Sequence, residues 1–407
     1  MKKMILVLVI CMTVFTSCTN HSIEEREKHP DESEDPANHA TQYLPAEDIS
    51  DVFLPTFCPA LTRSVIQNQY LYRLWNGQFK RVNLSTGSTT HVCTDPLCLH
   101  ENSDCPFWSM SDNWLMHENM IYYITEERLG RGVKKRSFCQ FSLDKGYKTV
   151  LYEIPDDGSG YYLLGIFDGQ LYYVKSAVKG TADSVSSSLD YDKTFCRCRP
   201  KDFGKKSETV YVLSSEERGD YNDVYMMTDQ HIYLTCAGEE GILVRTDRDF
   251  QTFERLSFPY YYIMTAHDGM YCYYQATGED VLGYWEVTNG AGSTAEKEAV
   301  PYYGLYYTKR NLLTGEEIRL SDVPVGEHSY PLAWDDLTNE YLYLEFEDGL
   351  WRCDFDGKRL SLVWSKEKQA QCPIQNAVFE LVYDGKIILA DREGSASIFD
   401  IASGRYS

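Results

Sequence analysis

The residues with the clearest chemical potential lie in one short stretch, at Cys93, Cys98, His100 and Cys105. Three thiols and one imidazole therefore occur within thirteen residues. Three cysteines and a histidine form an accepted ligand set for zinc, which prefers tetrahedral sulfur and nitrogen donors. The spacing C-x4-C-x-H-x4-C is not a common zinc-finger spacing, so it indicates metal chemistry without specifying it.

The alternative for this stretch is a loop closed by one disulfide among Cys93, Cys98 and Cys105, with His100 as a surface residue. The sequence of residues 1–18 predicts that the protein lies outside the cytoplasm, where thiols can oxidise. On that argument we favour the disulfide and expect no cofactor, with a zinc ion as the alternative.

A second pair of cysteines, Cys58 and Cys372, shares a local pattern, since each directly precedes a proline. In the blade assignment given below they fall on neighbouring connections. We therefore predict a Cys58–Cys372 disulfide that clasps the two ends of the domain.

The elements that must position these residues are repeats. The stretch Asp168-Gly169-Gln170-Leu171-Tyr172-Tyr173 reads as a tight turn followed by a strand, because Asp-Gly supplies the positive φ that a two-residue hairpin turn needs. Similar stretches begin at seven places along the chain: 68, 118, 168, 229, 268, 339 and 384. Each is followed by a further strand, a polar turn and another strand. Four short strands at a period of roughly 40–50 residues are typical of a β-propeller blade.

The sequence thus predicts an all-β fold, a seven-bladed β-propeller of four-stranded antiparallel blades, for residues 51–407. The blades are assigned to residues 63–92, 113–152, 161–213, 223–256, 260–320, 329–364 and 376–401. We expect the last blade to lack a fourth strand, because only Arg405, Tyr406 and Ser407 remain to form one. We therefore expect the N-terminal strand 51–57 to close the ring by pairing in the seventh blade, which would remove exposed strand edges.

The N-terminus carries a targeting signal, with Lys2 and Lys3 ahead of a short apolar run. The sequence Phe-Thr-Ser-Cys at 15–18 resembles a bacterial lipobox, which implies that Cys18 is lipidated and anchors the chain to the extracytoplasmic face of the cell membrane. Residues 1–18 are then the signal peptide. Residues 19–50 are acidic and poor in apolar side chains, so we expect a disordered tether.

In the predicted blades, the long connections join a second strand to a third strand or one blade to the next. Both kinds of connection lie on the same face of the ring. Loops on a rigid scaffold often bind ligands, so we predict a binding surface there. For the basic run at 128–136 we favour a solvated loop that offsets neighbouring acidic groups, with an acidic partner or an anionic surface as the alternative. The candidate residues are Arg128, Arg131, Lys134, Arg136, Tyr284, Trp285, Tyr302 and Tyr303.

The net charge of −22 argues against nucleic acid, because the molecule as a whole repels phosphate. No Gly-x-Ser-x-Gly nucleophile motif occurs. We favour a monomeric binding or scaffold module that recognises an extracellular protein, peptide or glycan. A propeller enzyme acting on extracellular glycan or peptide is the alternative, since carboxylates from different blades could still converge.

Taken together, the lipobox, the acidic tether, the seven hairpins and the Cys-x-Asp-Pro-Leu-Cys-x-His…Cys-Pro-Phe stretch resemble propeller lipoproteins of bacteria. More distantly, the repeats resemble TolB-type propeller domains. The resemblance spans essentially the whole chain. It brings no established catalytic residue with it.

Overall fold

The computed structural model describes residues 44–45, 64–128, 134–178, 191–213, 223–227, 230–235, 242–257, 265–267, 271–289, 296–325, 333–334 and 341–407. The predicted signal peptide, the lipobox and nearly all of the tether lie outside these ranges. Within them, no helix is both long and apolar enough to cross a membrane.

The described part of the chain is almost entirely strand, and each group of four consecutive strands forms one sheet. A two-residue strand, β1 (Leu44–Pro45), precedes the first sheet in the chain and pairs in parallel with Glu254 and Arg255 at the edge of the fourth sheet, which thereby has five strands. The strands of the first three sheets are β2 (Ser64–Gln67), β3 (Tyr70–Trp75), β4 (Gln78–Asn83), β5 (Thr89–His91), β6 (Met110–His117), β7 (Met120–Arg128), β8 (Lys134–Ser142), β9 (Tyr147–Ile154), β10 (Gly160–Phe167), β11 (Gln170–Val178), β12 (Tyr191–Cys198) and β13 (Glu208–Leu213).

The remaining four sheets follow in the same way. Their strands are β14 (Asp223–Met227), β15 (His231–Thr235), β16 (Ile242–Asp247), β17 (Phe253–Ser257), β18 (Thr265–His267), β19 (Tyr271–Asn289), β20 (Glu296–Asn311), β21 (Glu317–Arg319), β22 (Ala333–Trp334), β23 (Leu342–Phe346), β24 (Gly349–Cys353), β25 (Ser361–Ser365), β26 (Val378–Tyr383), β27 (Lys386–Ala390), β28 (Ala396–Asp400) and β29 (Arg405–Tyr406). One short helix, α1 (Lys366–Gln369), and a 3₁₀ turn at Pro200–Asp202 lie between strands.

The seven antiparallel four-stranded sheets stand in a ring and form a seven-bladed β-propeller, which confirms the predicted fold class. Four of the seven predicted hairpin turns, those at 68, 118, 168 and 384, lie within the described residues and are present, whereas the turns at 229, 268 and 339 lie wholly or partly outside them. Asp168 and Gly169, between β10 and β11, have φ values of 50° and 71°, the left-handed conformation that a two-residue hairpin turn of this kind requires.

Apolar clusters between neighbouring blades hold the ring together. The cluster between the first and second blades includes Phe79 and Trp114, whose ring centroids are 4.8 Å apart. The cluster that joins the seventh blade to the first includes Ile388 and Leu71, both fully buried. Each of these sheets therefore buries side chains on both faces, and the blades stabilise one another.

The closing strand differs from the prediction. The seventh sheet already has a fourth strand, β29, which pairs with β28 through Phe399↔Tyr406 and Asp400↔Arg405. The place expected for 51–57 is therefore taken by the C-terminus, and 51–57 itself lies outside the described residues. A strand of two residues is too short to give a sequence pattern, which is why it escaped prediction. The Tyr406 hydroxyl accepts from Trp364 Nε1 at 2.9 Å and donates to the Lys368 carbonyl at 2.5 Å, so it ties this strand to the sixth blade.

The connection expected at 276–304 also differs, because it is largely strand rather than irregular loop. β19 and β20 continue the ladder of the fifth blade outward as far as Asn289↔Glu296. β18 and β21 pair only with the inner ends, at 271–273 and 308–310. The outer segment is rich in aromatic and β-branched residues, which favour strands. We call residues 277–289 and 296–305 the fifth-blade ribbon.

An ion pair lies at the junction between the first and last blades. Arg73 of β3 pairs with Glu380 of β26, and their side chains are only 18% and 4% exposed. Burial lowers the pKa of Arg73 below its usual value. Removing the carboxylate would leave a guanidinium shielded from water and without its charged partner, which is much more costly than losing an exposed pair.

We therefore expect Glu380→Ala to lower the free energy of unfolding by about 3–5 kcal/mol. The matched control is Glu153→Ala, which removes the exposed Lys135–Glu153 pair and should cost less than about 1 kcal/mol. Urea denaturation of both variants measures the difference. Equal small effects would show that the junction does not depend on this ion pair.

Candidate metal centre

The connection from β5 to β6 brings together the four residues singled out in the sequence. One ligand atom from each of Cys93, Cys98, His100 and Cys105 lies within 4.8 Å of the others. No other group of three or more potential ligand side chains in the described ranges is assembled in this way. The convergence predicted from spacing alone is thus present in the fold.

Two turns produce this convergence. The end of β5 is held by a hydrogen bond from the Val92 amide to the Phe79 carbonyl, at 3.1 Å. Asp95 then reverses the chain, because its carboxylate accepts from the Leu97 amide at 2.9 Å and its carbonyl accepts from the Cys98 amide at 3.1 Å. Cys98 is thereby returned to the neighbourhood of Cys93.

The second turn is built on Asn102. Its side-chain oxygen accepts from the Asp104 amide and its carbonyl accepts from the Cys105 amide, each at 3.1 Å. Between the two turns His100 has a φ of 60°, a left-handed conformation that histidine adopts more readily than most residues. This backbone geometry places His100 Nδ1 3.8 Å from Cys105 Sγ.

The cluster rests on the aromatic core between the first two blades. Cys93 and Cys105 are 7% and 5% exposed, and Phe107 lies 5.0 Å from Phe79, centroid to centroid. The Tyr123 hydroxyl donates to the Pro106 carbonyl at 2.6 Å, which fastens the end of the connection to β7. The position of Cys105 is therefore set by core packing.

Burial controls the protonation of the two inner thiols. Desolvation raises the pKa of Cys93 above its usual value and raises that of Cys105 to about 12. Backbone hydrogen bonds at Asp95 and Phe107 act in the opposite direction and favour the thiolate. Without a metal ion both groups are neutral thiols at pH 7, and a bound cation would displace their protons.

His91 is a neighbour that the spacing argument did not single out. Its ring stacks on that of His100, with centroids 3.8 Å apart and planes 11° apart. Burial lowers the pKa of His91, and positive charge at His100 and Lys80 lowers it further. Its position two residues before Cys93 was the available sequence signal, because residues two apart on a strand share a face.

A small pocket opens onto the cluster. The lining includes Gly77, Gln78, His91, Cys93, His100 and Cys105.

The donor set fits zinc. A tetrahedral ion with Zn–S bonds of about 2.3 Å holds its sulfur atoms about 3.8 Å apart, a spacing within reach of ligand atoms that already lie inside 4.8 Å. Protein side chains would fill all four positions, which is typical of structural rather than catalytic zinc sites.

The disulfide that we favoured for this stretch is not supported. Cys93, Cys98 and Cys105 are all free thiols in the structure. Cys372 is also a free thiol, so the structure gives no support to its predicted bond with Cys58, which lies outside the described residues.

The predicted basic site is largely neutralised within the protein. Lys134 pairs with Glu126 at 2.8 Å, and Arg136 donates to the Pro155 carbonyl at 3.0 Å and approaches Asp157. These contacts support the interpretation that the basic residues offset nearby acidic groups. Arg128 ends β7, opposite Lys134. Arg131 lies outside the described residues.

The aromatic candidates all lie on the fifth-blade ribbon. Tyr284 pairs with Pro301 in the ladder, Trp285 with Val300, and Tyr302 with Gly283. Tyr303 is 44% exposed. Cys18 lies outside the described residues, so its lipidation stays a prediction.

No protein-family model matches the chain, and no curated protein matches its sequence. Among solved structures, a prolyl endopeptidase matches with a TM-score of 0.48 and 11% identity over 85% of this chain and 48% of its own. An oligogalacturonate lyase from Vibrio parahaemolyticus matches with 0.44 and 10% over 81% and 84%. TolB from Acinetobacter baumannii matches with 0.31 and 14% over 70% and 68%. These likenesses are distant, concern the propeller fold, and carry no argument about activity.

Proposed function

We propose that the protein binds one zinc ion through Cys93, Cys98, His100 and Cys105, and that the ion fixes the connection between the first two blades. The observation that carries this proposal is the approach of four soft donor atoms to within 4.8 Å of one another. Burial of two of the four residues, Cys93 and Cys105, supports it further. The role of the ion is structural, because no coordination position is left for a substrate.

Zinc analysis of the purified protein tests this directly. We expect about one zinc ion per chain for the wild type and at least a tenfold loss of affinity for Cys98→Ser, since a ligand is removed. The affinity should fall as the pH is lowered, because the high pKa values of Cys93 and Cys105 make the proton a strong competitor.

Cys372→Ser is the matched control, because it removes a partly buried free thiol outside the cluster. It should retain full zinc content. A wild-type protein that takes up no zinc after reduction and incubation with the ion would contradict the proposal.

A second function is favoured by the fifth-blade ribbon, which we propose as a surface for an extracellular protein, peptide or glycan. Within the described residues its two strands pair with each other and, apart from the bridge between Leu305 and Val325, with no third strand, and isolated two-stranded ribbons are marginally stable in water. Large apolar side chains are also exposed on it, with Val281 at 45%, Leu282 at 47% and Tyr303 at 44%. A partner that covers these side chains would stabilise the ribbon and remove them from water.

In one variant, Asn-Gly replaces residues 278–304 and forms a short turn between the paired residues Thr277 and Leu305. This variant should no longer capture the partner, and the melting temperature of its propeller should be unchanged. Capture is measured by crosslinking on the native cell envelope, followed by mass spectrometry. The control replaces 127–135 by Asn-Gly between the paired residues Glu126 and Arg136, which shortens another hairpin. Recovery of the same partners by the 278–304 variant would rule out the ribbon as the binding surface.

We further propose that Cys18 is lipidated and holds the propeller at the extracytoplasmic face of the cell membrane. The charged N-terminus, the apolar run and the cysteine after small residues support this. Cys18→Ser should move the protein from the membrane fraction to the soluble fraction or leave it with an uncleaved leader. Cys11→Ser should change neither property. Unchanged lipid labelling of Cys18→Ser would contradict the proposal.

A further inference from the structure

We propose that the metal centre is also an oxidation site, at which hydrogen peroxide joins Cys98 to Cys93 or Cys105 as a disulfide and so releases the metal ion. This inference rests on the zinc site proposed above. The sequence raised a disulfide and a metal ion as alternatives, and under this inference they are two states of the same site.

Cys98 is the thiol that both possible disulfides would share. Its sulfur atom lies within 4.8 Å of the sulfur atoms of Cys93 and Cys105. All three sulfur atoms lie within the 4.8 Å limit of the cluster, and a disulfide needs them about 2.05 Å apart. A shift of a few ångströms by one side chain is therefore enough to form the bond.

Cys98 is also the thiol that a small oxidant reaches first. Cys93 and Cys105 are buried, whereas Cys98 is only partly buried. It is flanked by Leu97 and Leu99, which are 88% and 72% exposed, so the local backbone lies at the protein surface. Oxidation of thiols follows thiolate character and exposure, and a bound metal ion would keep the Cys98 sulfur in the thiolate form.

The backbone around Cys98 permits the movement. The residue lies outside any strand, and its amide donates one hydrogen bond to the Asp95 carbonyl. Cys93 is buried two residues after the end of β5, and Cys105 is packed into the aromatic core with Phe79 and Phe107. Cys98 is thus the sulfur that moves, and the two buried sulfurs are the fixed partners.

One molecule of hydrogen peroxide is the only oxidant needed to convert two thiolates to one disulfide. The Cys98 thiolate attacks one peroxide oxygen, the O–O bond breaks, and hydroxide leaves and takes a proton to become water. The neighbouring thiolate then attacks the Cys98 sulfur, the S–O bond breaks, and the second oxygen leaves as water after gaining a proton. Two electrons pass from the two sulfurs to the peroxide, and the zinc ion loses two of its four ligands.

The test uses the full-length, zinc-loaded protein treated with a small excess of hydrogen peroxide. Released zinc is measured with a chromogenic chelator, and disulfides are mapped by peptide mass spectrometry. We expect zinc content to fall from about one ion per chain to less than about 0.1, with a new disulfide that contains Cys98. Dithiothreitol followed by zinc should restore the metal content.

Variants separate the possible outcomes. In metal-free protein, peroxide should still join Cys98 to Cys105 in the Cys93→Ser variant and Cys98 to Cys93 in the Cys105→Ser variant. The Cys98→Ser variant should form no disulfide within the cluster. Cys372→Ser is the control for a thiol elsewhere. Zinc retained at peroxide doses that oxidise Cys372, or a Cys93–Cys105 disulfide in the wild type, would overturn the inference. A protein that never bound zinc would instead contradict the proposed metal function, while the disulfide mapping would still decide the oxidation chemistry.

Discussion

The structure depends on the burial of both faces of each sheet against its neighbours. A four-stranded blade with aromatic residues on both sides is not stable alone in water, so the blades must pack in a ring. The junction between the first and second blades shows the consequence for the candidate site. Phe79 and Trp114 come from different blades and meet edge to face, and Phe107, which closes the cysteine connection, packs against Phe79.

The cluster of four candidate ligands is therefore a product of the propeller and not of the thirteen-residue stretch by itself. Two local turns bring the ligands near one another, but the packing of Cys105 and the hydrogen bond from Tyr123 to Pro106 decide where the second half of the stretch lies. In return, a bound ion would hold the connection to the first blade, where His91 stacks on His100. Metal binding and packing of this blade junction would stabilise each other.

Much of the fold could be predicted from sequence, because an Asp-Gly pair between two apolar stretches indicates a hairpin turn and also where in the chain that turn lies. The blade assignments at 161–213 and 223–256 agree closely with the sheets of β10–β13 and β14–β17. The closing strand could not be predicted, since Arg405–Tyr406 is too short to carry a pattern and owes its place to Tyr406 and its bonds to the sixth blade. The ribbon was expected as a loop, because its length suggested an insertion although its composition favoured strands.

The membership of the candidate site could be predicted from sequence, because spacing alone placed Cys93, Cys98, His100 and Cys105 together. The preference for a disulfide over a metal ion rested on an argument about the cellular compartment, and that argument contains no geometry. The burial of two thiols and the stacking of His91 on His100 are consequences of the fold that sequence spacing does not show.

The central claim concerns four protein ligands around one ion, and the most direct measurement is the zinc X-ray absorption spectrum of the loaded protein. The account predicts a four-coordinate shell of three sulfur atoms at about 2.3 Å and one nitrogen at about 2.0 Å. A shell of oxygen and nitrogen atoms without sulfur would contradict it.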